Sequence, residues 1–181
     1  MLQRSLHSRF ASVLSLFVLV LLFIPAQHAV AQIGGETVGV QGGRFGVGLT
    51  SSWPAYGVSG TLQLNEKMTA EAVLGFFGSV SNFSGRLWYR FKRDAKYDLY
   101  GYGAAGVYRY GYRVLGVSDA ENVLGLGAGA GIEAGLRQLF DDEGFPPIFV
   151  NAEVGLAYAN FDYYNFSTFL FGAGIHYRFG G

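Results

Sequence analysis

The stretch from Phe166 to Phe179, FSTFLFGAGIHYRF, alternates with a period of two. Phe169, Phe171, Ala173, Ile175, Tyr177 and Phe179 form one row, apolar and ending in aromatics. Leu170, Gly172, Gly174, His176 and Arg178 form the other, polar or very small over its last four positions. Side chains on a strand alternate sides, so this is a strand with two unlike faces. Its length exceeds the roughly 5–6 residues of a soluble strand and fits the roughly 9–11 tilted residues that cross a bilayer. A strand this apolar needs partners on both edges. That demand restricts the chain more than any other feature, because the segments before it have to close onto it.

Seven such segments precede it. The alternation predicts strands at about 43–51, 55–64, 68–77, 83–91, 97–110, 122–136 and 147–158, with the last at 166–179. The pattern is cleanest in the sixth, where Leu124, Leu126, Ala128, Ala130, Ile132 and Ala134 alternate with Gly125, Gly127, Gly129, Gly131, Glu133 and Gly135. The fifth is ambiguous; its row of Tyr100, Tyr102, Ala104 and Tyr108 is expected outward, at the rims. No helical stretch is expected between strands. The connections are short, the longest on its side being 111–121, and short connections require antiparallel neighbours. The 28 Gly, 12 Tyr and 16 Phe against 4 Pro fit many strands joined by tight turns.

Alternation alone does not say which row points inward. A soluble barrel puts the apolar row inside, and a membrane barrel inverts it. The column of glycines on the sixth strand decides between them. A water-facing strand gains nothing from it and loses strand propensity. A crowded lumen gains room for long side chains arriving from across it. The polar rows then carry Arg44, Glu71, Arg86, Arg90, Glu133, Glu153, His176 and Arg178 into the lumen, with Trp88 and Phe149. Buried charges are tolerable there only if paired and hydrogen-bonded. Phe83, Phe91, Phe169 and Phe179 lie near strand ends on the apolar rows, where interfacial girdles fall. The fold class expected is all-β: an eight-stranded antiparallel up-and-down transmembrane barrel. A soluble lipocalin-like ligand binder is the competing reading.

The first residues are read separately. Arg4 and Arg9 precede an apolar run from Ala11 to Ile24, then Pro25 and the small residues Ala29-Val30-Ala31. This is the three-part pattern of a secretory signal peptide, residues 1–31. The apolar run is too short for the roughly 20 residues of a spanning helix. Residues 32–42 form a glycine-rich leader, and 43–179 the barrel. With Arg4 and Arg9 removed, 11 of the 13 basic residues face 13 acidic ones, a balance that argues against nucleic acid as a partner. There is no cysteine, so neither disulfide nor thiolate chemistry is available.

Motifs for chemistry are few. Gly101-Tyr102-Gly103-Ala104-Ala105-Gly106 matches a dinucleotide fingerprint by letter, but a strand and not a helix follows it. His176 is the sole histidine after residue 31; no zinc-ligand cluster accompanies it, and no cofactor or metal is expected. Ser167 and Thr168 lie far along its own strand, so catalysis is not expected. Function is sought instead in loops at the end away from the chain termini, where Tyr112, Arg113, Phe161, Tyr163 and Tyr164 are candidates for binding a surface ligand or for the interfacial belt.

The sequence from 43 to 179 resembles the small eight-stranded outer-membrane barrels of Gram-negative bacteria, of the OmpA and OmpX type. The most specific element is Gly174-Ile175-His176-Tyr177-Arg178-Phe179. It is similar to the C-terminal signal that the outer-membrane assembly machinery recognises, with Tyr177 and Phe179 as the signal residues. The chain departs from the pattern in the Gly180-Gly181 that follows. The resemblance implies a monomer in the outer membrane, in contact with membrane lipid and lipopolysaccharide, with a structural or surface-interaction role and a lumen filled by side chains. A narrow porin-like solute channel and a membrane-lipid-modifying enzyme are its alternatives within the same fold.

Overall fold

The structure, a computed structural model, describes residues 43–52, 55–76, 80–114, 117–161 and 165–179. Eight strands run in order: β1 Phe45–Ser52, β2 Ala55–Gln63, β3 Met68–Gly75, β4 Val80–Arg93, β5 Asp98–Val114, β6 Val117–Gly135, β7 Ile148–Asn160 and β8 Asn165–Phe179. Each pairs antiparallel with the next, and β1 pairs with β8, closing a barrel. At the closing seam Phe45 stands opposite Phe179 and Val47 opposite Tyr177, so the first and last strands meet in register from their chain-end tips. Closure leaves no edge inside the barrel wall, which is what allows strands to cross a bilayer.

The two rows separate as in a membrane barrel. On β8, Phe171 is 74 % exposed and His176 only 1 %. Leu124, Leu126, Val154, Leu156, Phe91 and Phe179 lie exposed on the outside, while Glu71, Arg86, Arg90, Glu133, Glu153 and Arg178 are buried. Apolar groups outside and charges inside have a favourable account only in lipid. This is an eight-stranded antiparallel transmembrane β-barrel.

Several expectations are corrected. The tyrosine row of β5 points inward: Tyr100, Tyr102 and Tyr108 are all buried. Register decides this, because Tyr100 stands opposite Arg90 and Tyr102 opposite Trp88, and paired residues share a face. The expected connection 111–121 is mostly strand, since β5 runs to Val114 and β6 starts at Val117. Yet among the described residues β4 pairs with β5 as far as Tyr110, and β7 with β6 from Gly125. Beyond those residues the β5–β6 hairpin continues as a two-stranded ribbon past the far rim. At the near rim a helical turn, α1 Leu136–Phe140, stands in the β6–β7 connection where none was expected. Phe161 turns inward with Ala157 and Ala159, its row on β7 being the inner one, and packs with Tyr108 and Leu170. The ladder of β4 with β5 shifts register between Arg90 and Lys92, a bulge at Phe91. The signal peptide 1–31, the leader 32–42, Tyr163, Tyr164 and Gly180–Gly181 lie outside the described residues, as do the side chains of Tyr112 and Arg113.

Candidate functional site: the charged lumen

Alternation carries the polar rows of β2 to β8 to one interior, and the pairing sets which charges meet. Glu71 on β3 stands directly opposite Arg86 on β4. The Arg86 guanidinium donates to Glu71 Oε2 at 2.9 Å and, across the lumen, to Glu153 Oε2 on β7 at 2.5 Å. Its Cζ lies 4.2 Å from the centre of the Tyr102 ring. Trp88 Nε1 donates to the same Glu71 oxygen at 3.2 Å, and its ring stacks on Tyr100 with centres 4.5 Å apart. Tyr100 donates its hydroxyl proton to Glu153 Oε1 at 2.6 Å, and Asn151 Nδ2 donates to that carboxylate at 3.0 Å.

A second cluster lies nearer the chain ends. Glu133 on β6 accepts from Arg90 on β4 at 2.8 Å and from Arg178 on β8 at 2.5 Å. Arg90 also pairs with Asp98 at 3.0 Å and donates to Thr69 Oγ1 at 2.6 Å. The Arg178 guanidinium sits over the Phe149 ring at 4.1 Å. Several of these bonds join strands that are not neighbours: β4 to β7, β4 to β6, β6 to β8 and β5 to β7. They therefore span the lumen and do not merely reinforce the wall.

His176 is buried between β2 and β3 partners. Its Nε2 is 2.8 Å from Ser59 Oγ and 3.5 Å from Glu71 Oε1. A histidine that activates a hydroxyl uses one ring nitrogen for the hydroxyl and the other for an orienting carboxylate. Here both contacts fall on the same nitrogen and compete for it. The arrangement holds a histidine in place; it does not line up a relay.

Of the eight expected network residues, Glu71, Arg86, Arg90, Glu133, Glu153, His176 and Arg178 are buried in the lumen. Arg44 is not. It lies one residue before β1, exposed at the rim, where a guanidinium reaches water without having to be paired. Asp98, Asn151, Thr69 and Ser59 complete the network and were not singled out from sequence, and Tyr100 joins it from the row expected outward. Among the described residues, β1 turns Gly46, Gly48 and Thr50 inward, and the Thr50 hydroxyl bonds to nothing, so β1 sends no side-chain bond across.

The lumen glycines have a role other than the expected one. A Cβ on Gly131 would stand 2.6 Å from the Tyr100 ring, and one on Gly129 2.7 Å from the Tyr102 hydroxyl. Gly131 is paired with Tyr100 and Gly129 with Tyr102, so the space is taken by tyrosines of the adjacent strand, and at Gly129 also by the Val154 carbonyl of β7, and not from across the lumen. Gly125 likewise lies under the Tyr108 ring. Gly127 pairs with Ala104, and the side-chain atoms nearest to a Cβ there are Ala104 Cβ and Leu170 Cδ1, both at 3.8 Å.

Tyr177 and Phe179 lie exposed at the chain-end tip of β8, their rings 4.9 Å apart.

An even-stranded closed barrel with an apolar exterior and a charged, hydrogen-bonded interior defines the class: the fold is that of the small outer-membrane barrels. Among solved structures, the chain is similar to the N-terminal β-barrel domain of Pseudomonas aeruginosa OprF, at 14 % identity, covering 77 % of this chain and 100 % of that one, with a TM-score of 0.56. It is also similar to Neisserial surface protein A, at 12 % identity over 75 % of this chain and 93 % of that one, with a TM-score of 0.50. No family model and no curated protein matches the sequence.

Proposed function

We propose that the mature chain is a monomeric outer-membrane protein of a Gram-negative bacterium, exported by residues 1–31, with a structural or surface-interaction role and a lumen closed by side chains. The observation that carries this reading is the pair of ion clusters centred on Arg86 and Glu133, which tie non-adjacent strands together across the interior. A permeating ion has to separate these groups, and breaking a buried pair costs about 3–5 kcal/mol. The fold similarity to two outer-membrane proteins supports the location. Assembly through the machinery that reads Tyr177 and Phe179 belongs to the same reading, as do lipid and lipopolysaccharide around the wall. No turnover is proposed: His176, the one histidine of the mature chain, is 1 % exposed and has its Nε2 engaged.

One observation favours a narrow solute channel as a second reading. A Cβ on Gly127 would meet its nearest side-chain atoms, Ala104 Cβ and Leu170 Cδ1, only at 3.8 Å, where tyrosine atoms stand at 2.7 Å beside Gly129 and 2.6 Å beside Gly131. Planar-bilayer recording of the refolded protein separates the two. The closed-lumen reading expects no discrete openings from the wild type; regular openings of uniform size select the channel. Recovery in the outer-membrane fraction, with a heat-dependent shift in gel migration, checks the location.

A further inference from the structure

We propose that α1 is a foot on the membrane surface, placing Leu139 and Phe140 in the boundary between head groups and acyl chains of the leaflet at the chain-end rim. The inference rests on the membrane reading of the barrel. Leu136, Arg137 and Gln138 are half-buried, the Gln138 Oε1 being inaccessible, while Leu139 and Phe140 are 45 % and 59 % exposed.

α1 follows directly on a strand whose outer row is apolar and exposed. In sequence its first residue, Leu136, comes after the outward row Leu124, Leu126, Ala128, Ala130, Ile132 and Ala134 of β6. Phe140 stacks on Phe145 with ring centres 5.2 Å apart and planes at 19°. The connection is folded to hold that pair. Arg137 Nε donates to the Phe145 carbonyl, Asp142 N donates to the Arg137 carbonyl at 3.1 Å, and Gly144 N donates to Asp142 Oδ1 at 2.8 Å. Asp141 closes α1 in the left-handed region at φ 54°, a sharp reversal rather than a continued helix. Asp141, Asp142 and Glu143 are exposed immediately beyond. An apolar face beside carboxylates that stay in water fixes a shallow depth: an interfacial element, neither spanning nor detached. The occupant this chemistry fits is the lipid boundary itself.

The chain has no cysteine, so single labels are clean. Leu139→Cys, Phe140→Cys, Asp142→Cys and Phe171→Cys variants of the full barrel carry an NBD fluorophore in phosphatidylcholine vesicles. Nitroxide lipids labelled at a shallow or a deep carbon quench from the membrane, and iodide quenches from water. Heat-dependent gel migration confirms that each variant is folded. Labels at 139 and 140 are expected to be at least about threefold less open to iodide than the label at 142, and quenched more by the shallow nitroxide than by the deep one. Iodide quenching at 140 equal to that at 142 overturns the proposal, as does deep quenching equal to that at 171. A label at 171 open to iodide overturns the membrane barrel itself, a failure distinct from that of the foot.

Discussion

At the scale of single residues, Arg86 and Gly131 show how the interior is specified. Arg86 neutralises two carboxylates on different strands, so its loss leaves Glu71 and Glu153 buried and facing each other without a cation. Arg86→Met is expected to lower unfolding stability by about 3–5 kcal/mol, read from urea unfolding in detergent or lipid. Arg86→Lys recovers only part of this, because a single ammonium cannot reproduce the fork that reaches both acids. Gly131→Val drives a side chain into the Tyr100 ring and loosens its hydroxyl from Glu153; a loss of about 1–3 kcal/mol is expected in the same measurement. The inward charges of β3, β4, β6, β7 and β8 were legible from parity alone. Asp98 was not. It falls at the start of the expected strand 97–110 and has the parity of Tyr100, a row expected outward; its ion pair with Arg90 settles its side. The β5 tyrosines were unreadable in isolation because both rows of that strand are half apolar. The signal lay on β6, where glycines at every second position call for bulky neighbours at the same spacing.

At the scale of elements, strand existence followed from alternation, and strand ends did not. Turn residues such as Asn65, whose Oδ1 accepts from the backbone N–H groups of Lys67 and Met68, mark the β2–β3 reversal clearly. The polar stretch 111–121 instead continues two strands beyond their neighbours, where no lipid requires an apolar row and alternation fades. Among the described residues, the ribbon contributes no ladder to β4 or β7. Deleting 112–119 is therefore expected to leave the unfolding midpoint and the heat-dependent gel shift unchanged, within about 0.5 kcal/mol. A large loss of stability would mean that the ribbon supports the wall. The short α1 escaped a reading based on period two because one helical turn gives no periodicity to find.

At the scale of the whole molecule, the exterior is held by lipid and the interior by ion pairs. Three guanidiniums, Arg86, Arg90 and Arg178, meet four carboxylates, Glu71, Asp98, Glu133 and Glu153, all buried among the described residues. Mobile ions screen such pairs far less than surface ones. Unfolding free energy in a zwitterionic detergent is expected to change little between about 0.01 and 1 M salt, where the Debye length falls from roughly 30 to 3 Å. A steep dependence would place these charges in contact with bulk water. The bonds across the lumen are unevenly shared, and among the described side chains of β1 none takes part in them. Its described residues are held by two backbone ladders, along 8 residues, while β8 is also tethered inward through His176 and Arg178. In amide hydrogen exchange β1 is accordingly expected to open first, its protons exchanging ahead of those in β3, β4 and β8. The seam that completes the wall is thus also its zipper: a cylinder that can come undone along one line while the remaining staves stay bolted to each other.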